Sequence, residues 1–186
     1  MFLKGYTMTK ILIASDIHGS EYYCKKLLER FYEEGAEYLF ILGDVLYHGP
    51  RNDLPRDYAP KGVIALLNPI AEKIICVKGN CDSEVDGMVL DFPIEAEVVS
   101  LFAKGKMLYL THGHKVRGDI NKMNCVLING HTHIPLCDES EGYLHLNPGS
   151  VSIPKENSCH SYMIFDGDSF LWKNVEDGKI YMEKQI

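Results

Sequence analysis

The chain has 186 residues, 46% of them hydrophobic and 24% charged, an ordinary balance for one globular domain with a substantial core. Its formal net charge is −7, with 26 acidic against 19 basic side chains and no Lys/Arg block, which excludes a nonspecific coat on nucleic acid but leaves room for a small phosphate ester at a metal centre. No apolar run approaches the roughly 18 residues of a membrane span.

Residues 1–7 are too short for a secretory signal and read as a loose N-terminal extension, with Met8 as an alternative start. Ile11–Ala14 is a short apolar run of strand length. Ser20 caps a helix that places Leu27, Leu28 and Phe31 on one face and ends before Gly35. Tyr38–Leu42 is the next strand, and strand, helix and strand together span about 30 residues, the length of a βαβ unit. Residues 46–60 carry three prolines, two arginines and a histidine without periodicity, so they form an irregular loop. Lys61–Leu67 is helical, Pro69 ends or kinks it, and Lys73–Val77 is a third strand.

From about residue 94 the pattern changes. Val98–Phe102 and Met107–Leu110 flank a turn at Lys104-Gly105-Lys106, a hairpin signature. Val126–Ile128, Tyr143–Leu146, Tyr162–Phe165 and Phe170–Trp172 are further short strands, with little helix between them. The first half reads as parallel α/β and the second as mostly antiparallel β. Two sheets packed face to face, with helices outside, accommodate both. The six cysteines are scattered, with no CxxC, and read as reduced thiols in a cytoplasmic protein.

Five segments carry acidic, amide or imidazole side chains at metal-ligand spacing: Asp16-Ile-His18, Gly43-Asp44, Gly79-Asn80-Cys81-Asp82, His112-Gly-His114 and Gly130-His131-Thr132-His133. A single Asp after a strand is usually a turn residue, and a single His usually lies at the surface. Five such segments, each following or facing a strand, imply one shared cavity at the sheet ends, where α/β sheets open their ligand crevices. Asp16 and His18 alternate along a segment read as extended, so both side chains can point the same way; His131 and His133 repeat that spacing. Carboxylate with imidazole suits Mn2+, Fe, Zn2+ or Ni2+ rather than Ca2+. Asp44 at a strand tip can bridge two ions, and Asn80 offers a neutral oxygen where another carboxylate would over-neutralise the site. Two ions about 3.5–4 Å apart can activate a bridging hydroxide for in-line attack on phosphorus. Neither GxSxG nor GxxxxGK occurs, so a serine nucleophile or a P-loop has no support.

The ordered set Asp16-x-His18, Gly43-Asp44, Gly79-Asn80, His112 and Gly130-His131-x-His133 resembles the calcineurin-like metallophosphoesterase superfamily, from about Ile11 to Ser152. Ser15–Ser20, Ile41–Leu46, His48–Asn52, Lys78–Asp86 and Asn147–Pro154 are similar to its bacterial YfcE-type phosphodiesterases. The resemblance implies one domain over residues 1–186, folded as a four-layer α/β/β/α sandwich of two mixed β-sheets flanked by helices. It implies two divalent transition-metal ions, Mn2+ first, with Zn2+, Fe or Ni2+ as alternatives. Asp16, His18 and His133 would hold one ion and Asn80, His112 and His131 the other, with Asp44 bridging.

The implied activity is hydrolysis of a small phosphodiester, with Asp44, Asn80 and His114 in catalytic roles and Arg51, His48 and Cys81 meeting the substrate. Many members of the superfamily carry His where this chain has Cys81. A thiol is a poorer proton donor to a departing alkoxide, which favours diesters over monoesters. Arg51 is the candidate phosphate clamp, Asp82 a candidate to orient a ligand histidine, and Asn147 and Ser150 a buttressing turn. A phosphomonoesterase or nucleotidase at the same site, and a non-catalytic interaction scaffold, are the alternatives; the full ligand set weighs against the scaffold. No membrane partner and no nonspecific nucleic-acid binding are expected, and an exposed strand edge could pair copies into a homo-oligomer.

Overall fold

The computed structural model describes residues 9–115, 124–139 and 142–186. The expected extension at residues 1–7 lies outside them. β1 (Ile11–Ala14), α1 (Glu21–Glu33), β2 (Tyr38–Ile41), α2 (Pro60–Leu67), a 3-10 helix (Asn68–Lys73), β3 (Ile74–Cys76) and α3 (Asp86–Val89) make up the first half. β4 (Val98–Ala103), β5 (Lys106–Thr111), β6 (Cys125–Asn129), β7 (Leu136–Asp138), β8 (Leu144–Asn147), β9 (Ser161–Phe165), β10 (Ser169–Asn174) and β11 (Ile180–Gln185) follow. They form a six-stranded sheet in the order β11-β10-β9-β1-β2-β3 and a five-stranded sheet in the order β4-β5-β6-β8-β7.

The first three strands read as unbroken apolar runs because the sheet is covered on both faces. Leu12 and Ala14 of β1, Leu39 and Ile41 of β2, and Ile74 and Cys76 of β3 face the helices, where Leu27, Phe31, Val63 and Leu67 complete that core. Ile11, Ile13 and Phe40 point the other way, against Leu108, Leu110, Val126, Ile128 and Leu146 of the second sheet. Trp172 is fully buried in this inter-sheet layer, and its indole N–H donates to the Asn147 carbonyl at 2.6 Å. α1 begins where expected, with the Ser20 hydroxyl accepting from the Tyr23 amide at 3.3 Å and Tyr23, Cys24, Leu27, Leu28 and Phe31 on the buried side.

The two mixed sheets are those expected, but the second half is less antiparallel than its pattern implied. β5 pairs with β6, and β6 with β8, in parallel. That pairing sends the carboxyl ends of β5 and β6 to one side, as β1 and β2 do in the first sheet. Apolar runs mark which segments are strands, but strand direction depends on the crossover between them. β7, β11 and α3 carry too few periodic residues to register in the sequence. Among the described residues, the helices gather on the six-stranded side and none covers the outer face of the five-stranded sheet; the β5–β6 crossover includes residues 116–123, outside the described set.

Candidate metal centre

The site lies where the carboxyl ends of β1, β2, β3, β5 and β6 meet. Short bonds between the segments fix their approach: the Asp16 amide donates to the Gly43 carbonyl at 3.2 Å, the Gly130 amide to the His112 carbonyl at 3.1 Å, and the His131 amide to Asp16 Oδ2 at 3.1 Å. Asp16, His18, Asp44, His131 and His133 all take left-handed backbone conformations, with φ of 59°, 49°, 56°, 68° and 63°. Asp16–His18 and His131–His133 are therefore tight turns, not the extended pieces their spacing implied. For residues with a Cβ this conformation costs about 1–2 kcal/mol each, and clusters of it mark functional sites. Glycine is required beside them, since a Cβ at Gly79 would overlap the Asp44 carboxylate and one at Gly130 the Ser15 hydroxyl.

Three imidazoles are held the same way. Nδ1 of His18 donates to the Tyr47 carbonyl at 2.7 Å, Nδ1 of His112 to the Leu42 carbonyl at 2.6 Å, and Nδ1 of His133 to the Ile153 carbonyl at 2.7 Å. Each Nε2 is thereby turned inward. Nε2 of His133 lies 3.2 Å and Nε2 of His18 3.5 Å from Asp16 Oδ1, and the two Nε2 atoms are 3.2 Å apart. Nε2 of His112 faces Asp44 Oδ2 at 3.4 Å, Asn80 Oδ1 at 2.9 Å and His131 Nδ1 at 3.3 Å. Asp16 Oδ1 is buried with no well-directed hydrogen-bond donor. Two electron-rich groupings thus face each other, and only protons or cations can sit between them.

Burial alone would raise the Asp16 carboxyl, but the His133 and His18 imidazoles beside it hold it far below the usual carboxylate range. Burial alone would depress His112, but the Asp44 and Asp16 carboxylates push it up to about 9. His18 is raised in the same way, against its burial, mainly by Asp16. The buried carboxylates thus favour positive charge on the nearest imidazoles, whereas burial and His112 lower His131. Ligand atoms of Asp16, His18 and His133 lie within 4.8 Å of one another, as do those of Asp16, Asp44 and His112 and of His18, Asp44 and Cys81. Mixed carboxylate, amide and imidazole donors at these separations fit divalent transition metals. The carbonyl contacts at Nδ1 are the outer bonds that fix a ligand imidazole's tautomer and aim.

Residues 9–169 match the Calcineurin-like phosphoesterase superfamily domain. The chain belongs to that superfamily. It is 50% identical to Phosphodiesterase YfcE of Escherichia coli over 165 residues, 87% of this chain and 89% of that protein. It is 27% identical to the Probable metallophosphoesterase YsnB of Bacillus subtilis over 164 residues, 83% of this chain and 82% of that one. The solved structure of E. coli YfcE, described as a phosphoesterase, superposes with a TM-score of 0.88 at 45% identity, covering 95% of this chain and 99% of that one. Vacuolar Protein Sorting 29 of Cryptosporidium parvum shares the fold alone, with a TM-score of 0.64 at 20% identity, covering 97% and 100% of the two chains.

All seven residues expected as ligands face this centre, either across the Nε2 contacts above or, for Asn80, through its bond to His112. Asp82 does not orient a histidine. Its Oδ2 accepts from the amides of Asp44 at 2.9 Å and Gly79 at 2.7 Å, and its Oδ1 from Val45 at 2.8 Å, so it sets the backbone that carries Asp44. Ser150 Oγ donates to the Asp16 carbonyl at 2.9 Å, and Asn147 Nδ2 to the Gly130 carbonyl at 2.7 Å, the buttress expected of that turn. A cavity of about 480 Å³ opens over the centre, lined by Asp44, Asn80, Cys81, His131 and His133 and walled by Gly49, Arg51, Asn52, Thr132 and Lys155. Arg51 lies on that wall. His48 is not on that wall; its ring packs edge-on against Tyr47 and Tyr58. His114 stands 5.4 Å from the His112 ring and 6.1 Å from the His131 ring, and does not line the cavity. Lys155 escaped the sequence reading because it lies just past the Asn147–Pro154 segment, where no further motif or period continues.

Proposed function

We propose that this chain hydrolyses phosphodiesters at a centre of two divalent transition-metal ions, Mn2+ first among them. The observation that carries the reading is the set of three imidazoles locked through Nδ1 to backbone carbonyls, with Nε2 aimed at two buried carboxylates. The identity to Phosphodiesterase YfcE supports the diester as substrate. Asp16, His18 and His133 would hold one ion and Asn80, His112 and His131 the other, with Asp44 between. When bound, the ions would supply an activated hydroxide and the positive charge that phosphoryl transfer requires.

The chain's own groups do the rest. Arg51 and Lys155 flank the cavity and would take the two non-bridging oxygens, the arginine as a fork and the lysine as a point charge. Burial and the Asp44 carboxylate push the Cys81 thiol up to about 12, so it keeps its proton at neutral pH. It would offer a weak hydrogen bond at the leaving oxygen and little general-acid help, which suits a diester with an acidic leaving group. Burial and His112 lower His114, so a neutral ring would support His112 and His131 from behind. His48 would act on the loop that carries Arg51 rather than on substrate. The six cysteines are unpaired, which supports a reducing, cytoplasmic setting, and no helix among the described residues is long and apolar enough to cross a membrane.

The test is Asp44→Ala and Asn80→Ala, assayed on a nitrophenyl diester with added Mn2+. Turnover is expected to fall to background in both while unfolding stays cooperative. Retained turnover in either sinks the proposal. The matching monoester, run in parallel, separates a diesterase from a nucleotidase.

A further inference from the structure

A second cavity, of about 470 Å³, lies beside the first, and Cys81 lines both. Its walls are Tyr47, Tyr58, Pro60, Ile64, Val85 and Val89, drawn from the 46–60 loop, α2 and the segment around α3. The first cavity is polar and charged; the second is mainly aromatic and aliphatic. Val85 is 62% exposed and Tyr47 42% exposed, so apolar surface is left open in the cavity that shares Cys81 with the first. The charged side chain here is Asp86, whose Oδ2 accepts from the Ser83 amide at 2.9 Å. An acid in the lining repels a second anion and cannot clamp one.

We propose that this pocket is the subsite for one ester arm of the diester, and that it selects an uncharged aromatic or branched apolar alcohol. The proposal rests on the diesterase reading above. A ring leaving the phosphate on the Cys81 side enters the pocket directly. It removes its own surface and the faces of Tyr47, Val85 and Val89 from water, which stabilises the bound state in proportion to the apolar area covered. A methyl ester reaches none of these side chains. A charged arm, such as a second phosphate, meets Asp86.

The experiment uses the Mn2+-loaded full chain. Phenylphosphonate and methylphosphonate are compared as competitive inhibitors of methyl 4-nitrophenyl phosphate hydrolysis, in wild type and in the Val85→Gln/Val89→Gln double variant. Both valines are partly exposed, so glutamine adds polarity without charge or a cavity. Wild type is expected to bind the phenyl compound about tenfold more tightly than the methyl compound. The double variant is expected to bring that ratio to near one, with methylphosphonate inhibition unchanged within about twofold. Equal inhibition by both compounds in wild type overturns the subsite, as does a ratio that survives the substitutions. Failure of any form to hydrolyse the methyl 4-nitrophenyl diester would count instead against the diesterase reading.

Discussion

Asp82 and Cys81 are neighbours with separate tasks. The Asp82 carboxylate accepts three amides, and the change Asp82→Asn turns one of those oxygens into a donor facing an N–H. We expect a loss of about 2–3 kcal/mol in urea unfolding, together with weaker metal retention because Asp44 loses its backbone support. An unchanged midpoint would refute this role. Cys81→His places an imidazole donor where the thiol withholds its proton. The ratio of monoester to diester turnover is expected to rise in that variant, measured on nitrophenyl phosphate and its bis ester. No rise would mean that proton donation at this position does not limit the reaction. The acidic and imidazole candidates were legible only together, because a single Asp or His after an apolar run usually has a turn or surface role. The left-handed turns that aim them were not, since no local sequence preference favours φ above zero for Asp and His strongly enough to be read.

At the scale of elements, α1 connects the sequence to the site. Ser20 ends the turn that carries Asp16 and His18, and its hydroxyl accepts from Tyr23 and donates to the Arg56 carbonyl at 2.6 Å. Removing it in Ser20→Ala is expected to cost about 1 kcal/mol, read in denaturant midpoints. Because Arg56 lies on the loop that bears Arg51, KM for the diester should rise more than kcat falls. An effect on stability without any on KM would show that the cap does not reach the loop. The helix, its cap and its buried face followed from Ser20, the spacing of Leu27, Leu28 and Phe31, and Gly35 just past the end. The loop from 46 to 60 was legible only as irregular, because its shape is set by packing on Gly19 and α2 rather than by its own sequence.

For the molecule as a whole, the metal-stripped and metal-loaded states should respond to pH with opposite sign. Without metal, a proton on the inward Nε2 of His112 takes its place. His112 is raised to about 9 in the fold against about 6.5 when unfolded. Its contribution to stability is therefore complete below about pH 6.5 and disappears as pH rises to about 9. Metal binding needs the neutral ring, so the loaded protein gains as pH rises over the same range. Thermal unfolding with chelator and with Mn2+ should give midpoints that diverge from pH 6.5 to 9. Parallel curves would show that these imidazoles do not bind metal.

The order and chemistry of the seven donors, the strands they follow and the first helix were determined by the sequence itself. Ligand chemistry is a property of side-chain type, and burial leaves its period on each local segment. The tertiary structure alone decided that β5, β6 and β8 run in parallel, which brings His131 to Asp16 across 115 residues of chain. It also decided that Lys155 walls the cavity over the candidate metal centre and that a mainly apolar pocket shares Cys81 with it. Such approaches depend on which distant surfaces exclude water together, and no window along the chain records that.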